Sequence, residues 1–123
     1  MTKMTIPIDW DVLNAATDGD STAIKELVNL YLNQGSENIR ALRAAIQSGK
    51  TALVADLAHR FLGSSRFFGA TAIGKPLGAL MQLGRSHQLG SPAIQHIDDA
   101  EREFGRIEEF FKEWSNSNAI HAQ

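Results

Sequence analysis

The spacing of apolar residues predicts helices in nearly every part of the chain. The clearest pattern lies in the last third, where apolar side chains recur at alternating steps of four and three residues. These residues are Ala93, Ile97, Ala100, Phe104, Ile107, Phe111 and Trp114. Such steps place one stripe of a helix against a core and are typical of the seam of a helical bundle. Ser91 and Pro92 are suited to cap and begin this helix, and the polar residues from Ser115 onward predict a frayed end.

A second long helix is predicted over residues 21–47. Its apolar stripe consists of Ile24, Val28, Tyr31, Gly35, Ile39, Leu42 and Ile46. A glycine inside a helix is unfavourable, so we expect Gly35 to bend or break it. Before this helix, Asp9 or Asp11 can cap a short helix that ends near Thr17.

Two further helices are predicted between residues 50 and 88. The first runs from about Lys50 to Phe68, with Gly69 as its C-terminal cap. Its predicted buried residues are Leu53, Leu57, Phe61 and Phe68. The second, over residues 71–88, carries the stripe Ile73, Leu77, Leu80 and Gly84. Together these helices predict an all-α fold, an antiparallel four-helix bundle with a short additional N-terminal helix.

Composition narrows the class of protein. The 123 residues predict a single domain over residues 1–123, with a flexible N-terminus at 1–8 and a polar C-terminal tail at 116–123. The absence of cysteine excludes disulfides and thiol chemistry. A net charge of −2 gives no basic surface for nucleic acid. Without a signal peptide or an apolar run long enough for a membrane span, we predict a cytoplasmic protein. We expect a monomer, because the bundle can bury its own seam.

The candidate chemistry lies at His59, within the predicted helix that ends at Phe68. Gly63 follows one helical turn later on the same face. A glycine inside a helix costs about 1 kcal/mol relative to alanine, so it usually serves packing or access. Here it would let the surface of another protein approach the imidazole. A histidine of unperturbed pKa ~6.5 is largely neutral near pH 7, and neutral imidazole is a competent nucleophile.

The run from Ala58 to Ala70 resembles the signature of histidine-containing phosphotransfer (HPt) domains of two-component phosphorelays. That signature has a histidine, an apolar residue, a lysine, a glycine, two small residues and a Gly-Ala pair near the helix end. The matching residues are His59, Phe61, Gly63, Ser64, Ser65, Gly69 and Ala70. Leu62 stands where the family has its lysine. Residues 80–85 are also similar to the next helix of the family.

The resemblance implies a phosphorelay intermediate. His59 would accept a phosphoryl group from a receiver-domain aspartate and transfer it to another receiver domain. The implied partners are response-regulator receiver domains and a hybrid sensor histidine kinase. The partner would supply Mg²⁺, while this chain would hold no metal or cofactor and would have no kinase activity, since it has no nucleotide-binding motif. The predicted docking surface around His59 comprises Leu62, Gly63 and Ser64.

Because Leu62 cannot supply the cation of the family's lysine, three arginines are candidates to support the phosphoryl group. Arg66 lies seven positions after His59, which returns it to within about 20° on the helix and about 10 Å along its axis. Arg85 matches a position where the family often carries a basic residue. Arg60 points about 100° away and ranks last. The alternative interpretation of all three is solvated surface charge.

Two other functions stay open at this point. One is an interaction module of the same fold that binds a receiver domain or other partner without phosphotransfer, an alternative suggested by Leu62. The other is an unrelated helical-bundle adaptor, which a buried His59 would favour. Asp56, one turn before His59, is either an orienting group or a solvent-exposed charge. No Glu-x-x-His pair or zinc-ligand spacing indicates a metal site.

Overall fold

The structure is a computed structural model that describes residues 7–121, with side chains through residue 116. Five helices make up this part of the chain: α1 (Trp10–Thr17), α2 (Ser21–Gln47), α3 (Thr51–Phe68), α4 (Gly74–Arg85) and α5 (Gly90–His121). No strand occurs between residues 7 and 121. The predicted all-α class is therefore confirmed. None of these helices combines the length and apolar character that a membrane span requires.

Helices α2 to α5 form a four-helix bundle in which each helix has two neighbours. Both α3 and α5 pack against α2 and α4, so α3 and α5 occupy opposite corners of the bundle. The connections between consecutive helices are short, which makes neighbours in sequence antiparallel. The short helix α1 packs against α2 and α3. The outer face of α3 remains open between α2 and α4, and this face carries His59.

The end of α3 is joined to the start of α1. Gly69 caps α3 in the left-handed conformation with φ +90°, and its carbonyl oxygen accepts a hydrogen bond from the Asp9 backbone N–H at 2.7 Å. A Cβ at Gly69 would lie 2.7 Å from the Asp9 carbonyl oxygen, so the position requires glycine for space as well as for φ. The Asp9 side chain in turn accepts from the Asp11 N–H at 3.0 Å and caps α1.

The predicted seam of α5 is confirmed, whereas the predicted buried face of α3 is partly wrong. The seam residues from Ala93 to Phe111 are all buried, and Trp114 is half-buried. On α3, Leu53 is 40% exposed. The buried residues of α3 are Val54, Ala58, Phe61, Leu62, Ser65 and Phe68. Because α3 packs against α1, α2 and α4, its buried face is wide and includes small residues that an apolar stripe does not reveal.

Of the two effects expected of Gly35, a bend or a break, the break does not occur. The helix continues from Ser21 to Gln47, and Gly35 is buried within it. A Cβ at this position would overlap the ring of Phe104 on α5. The glycine therefore provides space for an aromatic ring between two helices, and the packing of that ring offsets the cost of glycine in a helix.

The predicted ends of the chain also need correction. Pro7 and Ile8 are buried, and Ile8 belongs to the core, so the predicted flexible segment 1–8 is wrong at these two residues. Residues 1–6 lie outside the described residues. Helix α5 continues beyond Ser115 to His121, because helical hydrogen bonding extends into the polar tail predicted at 116–123. Residues 122–123 also lie outside the described part.

Candidate functional site

The phase of α3 places His59 on its outer face. Ala58, Phe61 and Leu62 are 0%, 1% and 3% exposed and fix which side of the helix enters the core. His59 lies outside this buried arc and is exposed. Among the described residues, no hydrogen bond or ion pair involves its imidazole. The ring nitrogens are therefore available to a group that approaches from outside the bundle.

The surface next to His59 is unobstructed at Gly63. Apart from its chain neighbours and the backbone of its own helix, no described atom lies within 4 Å of the position that a Cβ on Gly63 would occupy, so packing among the described residues does not require the glycine. Ser64 is half-buried, and its hydroxyl donates to the Phe61 carbonyl oxygen at 3.0 Å. This bond within the helix holds the Ser64 side chain close to the backbone. Gly63 and Ser64 thus leave a low surface beside the histidine.

Ser65 faces the core. Its hydroxyl is fully buried and forms a hydrogen bond of 2.7 Å with the Tyr31 hydroxyl on α2. The Tyr31 ring stacks on Phe68 with centroids 4.2 Å apart. Burial raises the pKa of Tyr31 to about 12, although the hydrogen bond to Ser65 acts in the opposite direction. This contact joins α2 to α3 beneath the exposed face, and the sequence pattern gave no sign of it.

Leu62 does not form part of a docking surface, which corrects our prediction. It is 3% exposed, and its Cδ1 lies 3.5 Å from the position of a Cβ on Gly74, at the start of α4. Leu62 lies about 60° around the helix from His59, on the side facing α4. A lysine there could extend its stem along α4 and expose its ammonium group. Leucine has no polar end, so the whole side chain enters the core.

The three candidate arginines differ in their contacts. Arg60 donates to the Asp56 carboxylate with Nη2 and Oδ2 2.8 Å apart, so these two residues pair with each other. Asp56 therefore does not orient the ring of His59. Arg66 and Arg85 are exposed, and neither has an ion pair within the described part of the chain. Of the three candidate arginines, only these two combine exposure with a guanidinium that forms no ion pair among the described residues.

A close helix contact sets the position of Arg85. A Cβ on the preceding residue, Gly84, would lie 2.7 Å from both the Ala55 backbone nitrogen and the Thr51 carbonyl oxygen. This contact brings the last turn of α4 against the first turn of α3. Ala55 precedes His59 by one turn, whereas Arg66 follows it by two. Arg85 and Arg66 therefore lie on opposite sides of His59 along the axis of α3.

The other histidines do not form a second site. His87 is exposed, and its Nδ1 lies 2.8 Å from the Thr51 Oγ1, near the end of α4. His96 is half-buried on α5, and the side chain of His121 lies outside the described residues. Within the described part of the chain, no group of three or more His, Asp or Glu side chains could hold a metal ion.

An exposed, unpaired histidine on the outside of a helical bundle is the arrangement expected of a phosphocarrier that reacts with a partner. The family model described as the Hpt domain matches residues 26–114, and the chain belongs to this family. Hpt domains are phosphocarriers of phosphorelays and interact with response-regulator receiver domains and kinases. The chain thus belongs to a class of phosphotransfer intermediates, and the hypothesis of an unrelated adaptor is wrong.

The structure is also similar to that of histidine-containing phosphotransfer protein B (HptB) from Pseudomonas aeruginosa PAO1. The two chains share 25% sequence identity and superpose with a TM-score of 0.84. The match covers 93% of this chain and 98% of HptB. No curated protein matches the chain.

Proposed function

We propose that His59 is the phosphoacceptor, taking a phosphoryl group from the aspartate of one receiver domain and transferring it to another. The observation that carries this proposal is the exposed imidazole of His59 without a partner among the described residues, beside the open surface at Gly63. His59 also occupies the histidine position of the motif in a chain that belongs to the Hpt family.

The transfer needs little from this chain beyond an oriented nucleophile. A neutral ring nitrogen of His59 attacks the phosphorus of the phosphoaspartate, so that a P–N bond forms. The acyl P–O bond breaks, and the aspartate leaves as a carboxylate. In the second transfer a carboxylate oxygen of another receiver attacks the phosphorus, the P–N bond breaks, and neutral His59 is restored. Positioning and charge stabilisation dominate such steps.

Arg66 and Arg85 are proposed to stabilise the phosphoryl group in place of the family's lysine. Side chains on a helix tilt toward its N-terminus. Arg66 therefore leans back along α3 toward His59. Because α4 runs antiparallel to α3, Arg85 leans along α4 toward the level of His59 from the other side. Arg60 is the weaker candidate, since its guanidinium is paired with Asp56.

The remaining parts of the proposal concern what the partner contributes. We propose that the receiver domain supplies Mg²⁺ and that this chain acts without a cofactor and without kinase activity of its own. A hybrid sensor histidine kinase is proposed as a second class of partner. A monomer is proposed because the seam of α5 is buried within the chain. The cytoplasmic location stays a prediction from the sequence.

The test is phosphoryl transfer from a panel of phosphorylated receiver domains to the parent and to His59→Gln. The expected result is a phosphate on the parent alone, labile in acid and stable in base, as a P–N bond requires. Phosphorylation of His59→Gln, or an acid-stable product, would show that another residue is the acceptor.

The second candidate function is an interaction module that binds receivers without transfer. The burial of Leu62 at the lysine position favours it, because no cation stands at that place. It predicts receiver binding of equal strength by the parent and His59→Gln, with no phosphohistidine on the parent.

A further inference from the structure

We infer that an apolar ledge beside His59, formed by Leu30 of α2 and Phe67 of α3, selects which receiver domain docks. The inference rests on the proposed function and deepens it. Phe67 is 60% exposed, more than any other large apolar side chain in the described part of the chain, and Leu30 is 52% exposed. Exposed side chains of this size cost solvation free energy that a partner can recover by covering them.

The ledge is continuous with the surface around His59. Phe67 lies eight positions after His59, about 80° around the helix and about 12 Å along its axis. Gly63 lies between them, and no other described element comes within 4 Å of its Cβ position. The tilt of helical side chains directs the ring of Phe67 back toward Gly63. A partner that reaches His59 therefore meets Phe67 without an obstacle between the two.

The ledge borders a groove that fits one apolar side chain. The groove has a volume of about 160 Å³ and is lined by Leu27, Leu30, Tyr31, Phe67 and Phe68. Its remaining lining residues, Gln34 and Ser64, are uncharged. An apolar cavity of roughly 150 Å³ is large enough for benzene. Because Ser64 also belongs to the predicted docking surface, the groove and the phosphotransfer surface share an edge.

Arg85 lies on the other side of His59 from the ledge, which gives the surface a direction. Helices α3 and α4 carry four basic residues and one acidic residue, although the whole chain has a net charge of −2. Arg66 and Arg85 are exposed and form no ion pair with other described residues. A matching receiver would place an apolar side chain on the ledge and an acidic group over Arg85. Its phosphoacceptor aspartate would then lie between them, at His59.

The experiment compares the parent with Phe67→Ala, Leu30→Ala and the matched control Ile94→Ala. Ile94 is 53% exposed but lies near the start of α5, at the end of the bundle opposite Phe67. Affinities for a panel of receiver domains are measured by calorimetry, together with kcat/KM for transfer. Phosphoramidate, a small donor that phosphorylates histidine directly with loss of ammonia, tests the reactivity of His59 without docking.

We expect Phe67→Ala to weaken the binding of the tightest-binding receiver at least tenfold. The differences in affinity among the receivers of the panel should also become smaller. Leu30→Ala should act in the same direction, and Ile94→Ala should bind as the parent does. Phosphorylation by phosphoramidate should be equal in all four proteins.

Equal affinities of the parent and Phe67→Ala for every receiver would overturn the inference that the ledge selects the receiver. His59 would remain the proposed phosphoacceptor. A parent dimer that Phe67→Ala converts to a monomer would also overturn it, because the ledge would then contact a second copy. If the parent binds receivers but gains no phosphohistidine, the proposed function fails. The affinities then still decide whether the ledge selects the partner.

Discussion

The hydroxyl groups of Tyr31 and Ser65 form a buried hydrogen bond of 2.7 Å that joins α2 to α3. Ser65 lies six residues after His59 and faces the core while His59 faces outward. A rotation of α3 that turned His59 toward α2 or α4 would separate the two hydroxyls and leave both buried without a partner. The bond therefore specifies the rotation of α3 that exposes His59.

Removing either hydroxyl should destabilise the fold. Tyr31→Phe leaves the Ser65 hydroxyl unpaired, and Ser65→Ala leaves the Tyr31 hydroxyl unpaired, each at a cost of about 1–3 kcal/mol in the free energy of unfolding. The double variant should lose less than the sum of the two, because it leaves no unpaired partner. Urea unfolding of the four proteins measures this coupling. If the loss of stability in the double variant equals the sum of the two single losses, the hydrogen bond contributes no coupling energy between Tyr31 and Ser65.

Stability should fall at high pH because of Tyr31. Its pKa is raised to about 12 in the fold, against about 10 in an unfolded chain. The folded state therefore binds the phenolic proton more tightly than the unfolded chain does. This difference stabilises the fold by about 2–3 kcal/mol. The stabilisation is complete below pH ~10 and is lost as the pH rises through ~12.

Tyr31 is the only tyrosine in the chain, so the ultraviolet absorbance of phenolate reports on it alone. We expect ionisation of the folded protein near pH 12, and we expect Tyr31→Phe to lack this part of the alkaline loss of stability. Ionisation near pH 10 in a protein that is still folded would contradict the prediction.

The buried stripe of α5 was predictable from the sequence, whereas the full buried face of α3 was not. Helix α5 buries one narrow stripe, so the steps from Ala93 to Phe111 identify its inner face directly. Helix α3 has three neighbouring helices, and its buried arc includes Ala58 and Ser65, which an apolar pattern passes over. The sequence analysis also missed the exposed Phe67. Its outward position follows only after Phe61 and Phe68 are known to face the core.

The position of His59 followed from a local motif, whereas its surroundings depend on contacts between helices. The glycine beside it has open space at its Cβ position, and its role in access for a partner stays a prediction. The burial of Leu62 depends on how closely α4 approaches α3. That approach is determined at Gly84, which meets the backbone of α3, and nothing in the local sequence of α3 encodes it.

A large side chain at Gly63 should block receiver docking without unfolding the bundle. Gly63→Arg places a long side chain one turn from His59, in space that nothing in the described chain occupies. We expect at least a hundredfold loss of transfer from receivers and a thermal midpoint within a few degrees of the parent.

Gly105→Arg is the matched control for that change. Gly105 is also a helical glycine with open space around its missing Cβ, but it lies on α5, diagonally across the bundle from α3. The Gly105→Arg variant should accept the phosphoryl group from receivers at the parent's rate. Normal transfer by Gly63→Arg would contradict docking over this surface.

A methyl group at Gly84 should separate α4 from α3. Its Cβ would lie 2.7 Å from two backbone atoms of α3, neither of which can move as a side chain does. We expect Gly84→Ala to lower the free energy of unfolding by about 1–3 kcal/mol, as in other overpacked cores. Gly78→Ala on the same helix has open space and should be neutral or slightly stabilising in denaturant unfolding. Equal stability of the two variants would show that α4 adjusts without cost.

Arg66 should be replaceable by a lysine at the family position, if the two residues supply the same charge. Arg66→Ala is expected to slow transfer about tenfold, which corresponds to about 1.4 kcal/mol of lost transition-state stabilisation. Adding Leu62→Lys to that variant should restore most of the rate, because the lysine stem can extend from the buried position and place its ammonium group near His59.

Lys112→Ala on α5 removes the same charge far from α3 and should have no effect. Rapid-quench measurement of phosphohistidine formation gives the rates. A double variant as slow as Arg66→Ala would mean that Arg66 acts through a contact with the partner that a cation at position 62 cannot replace.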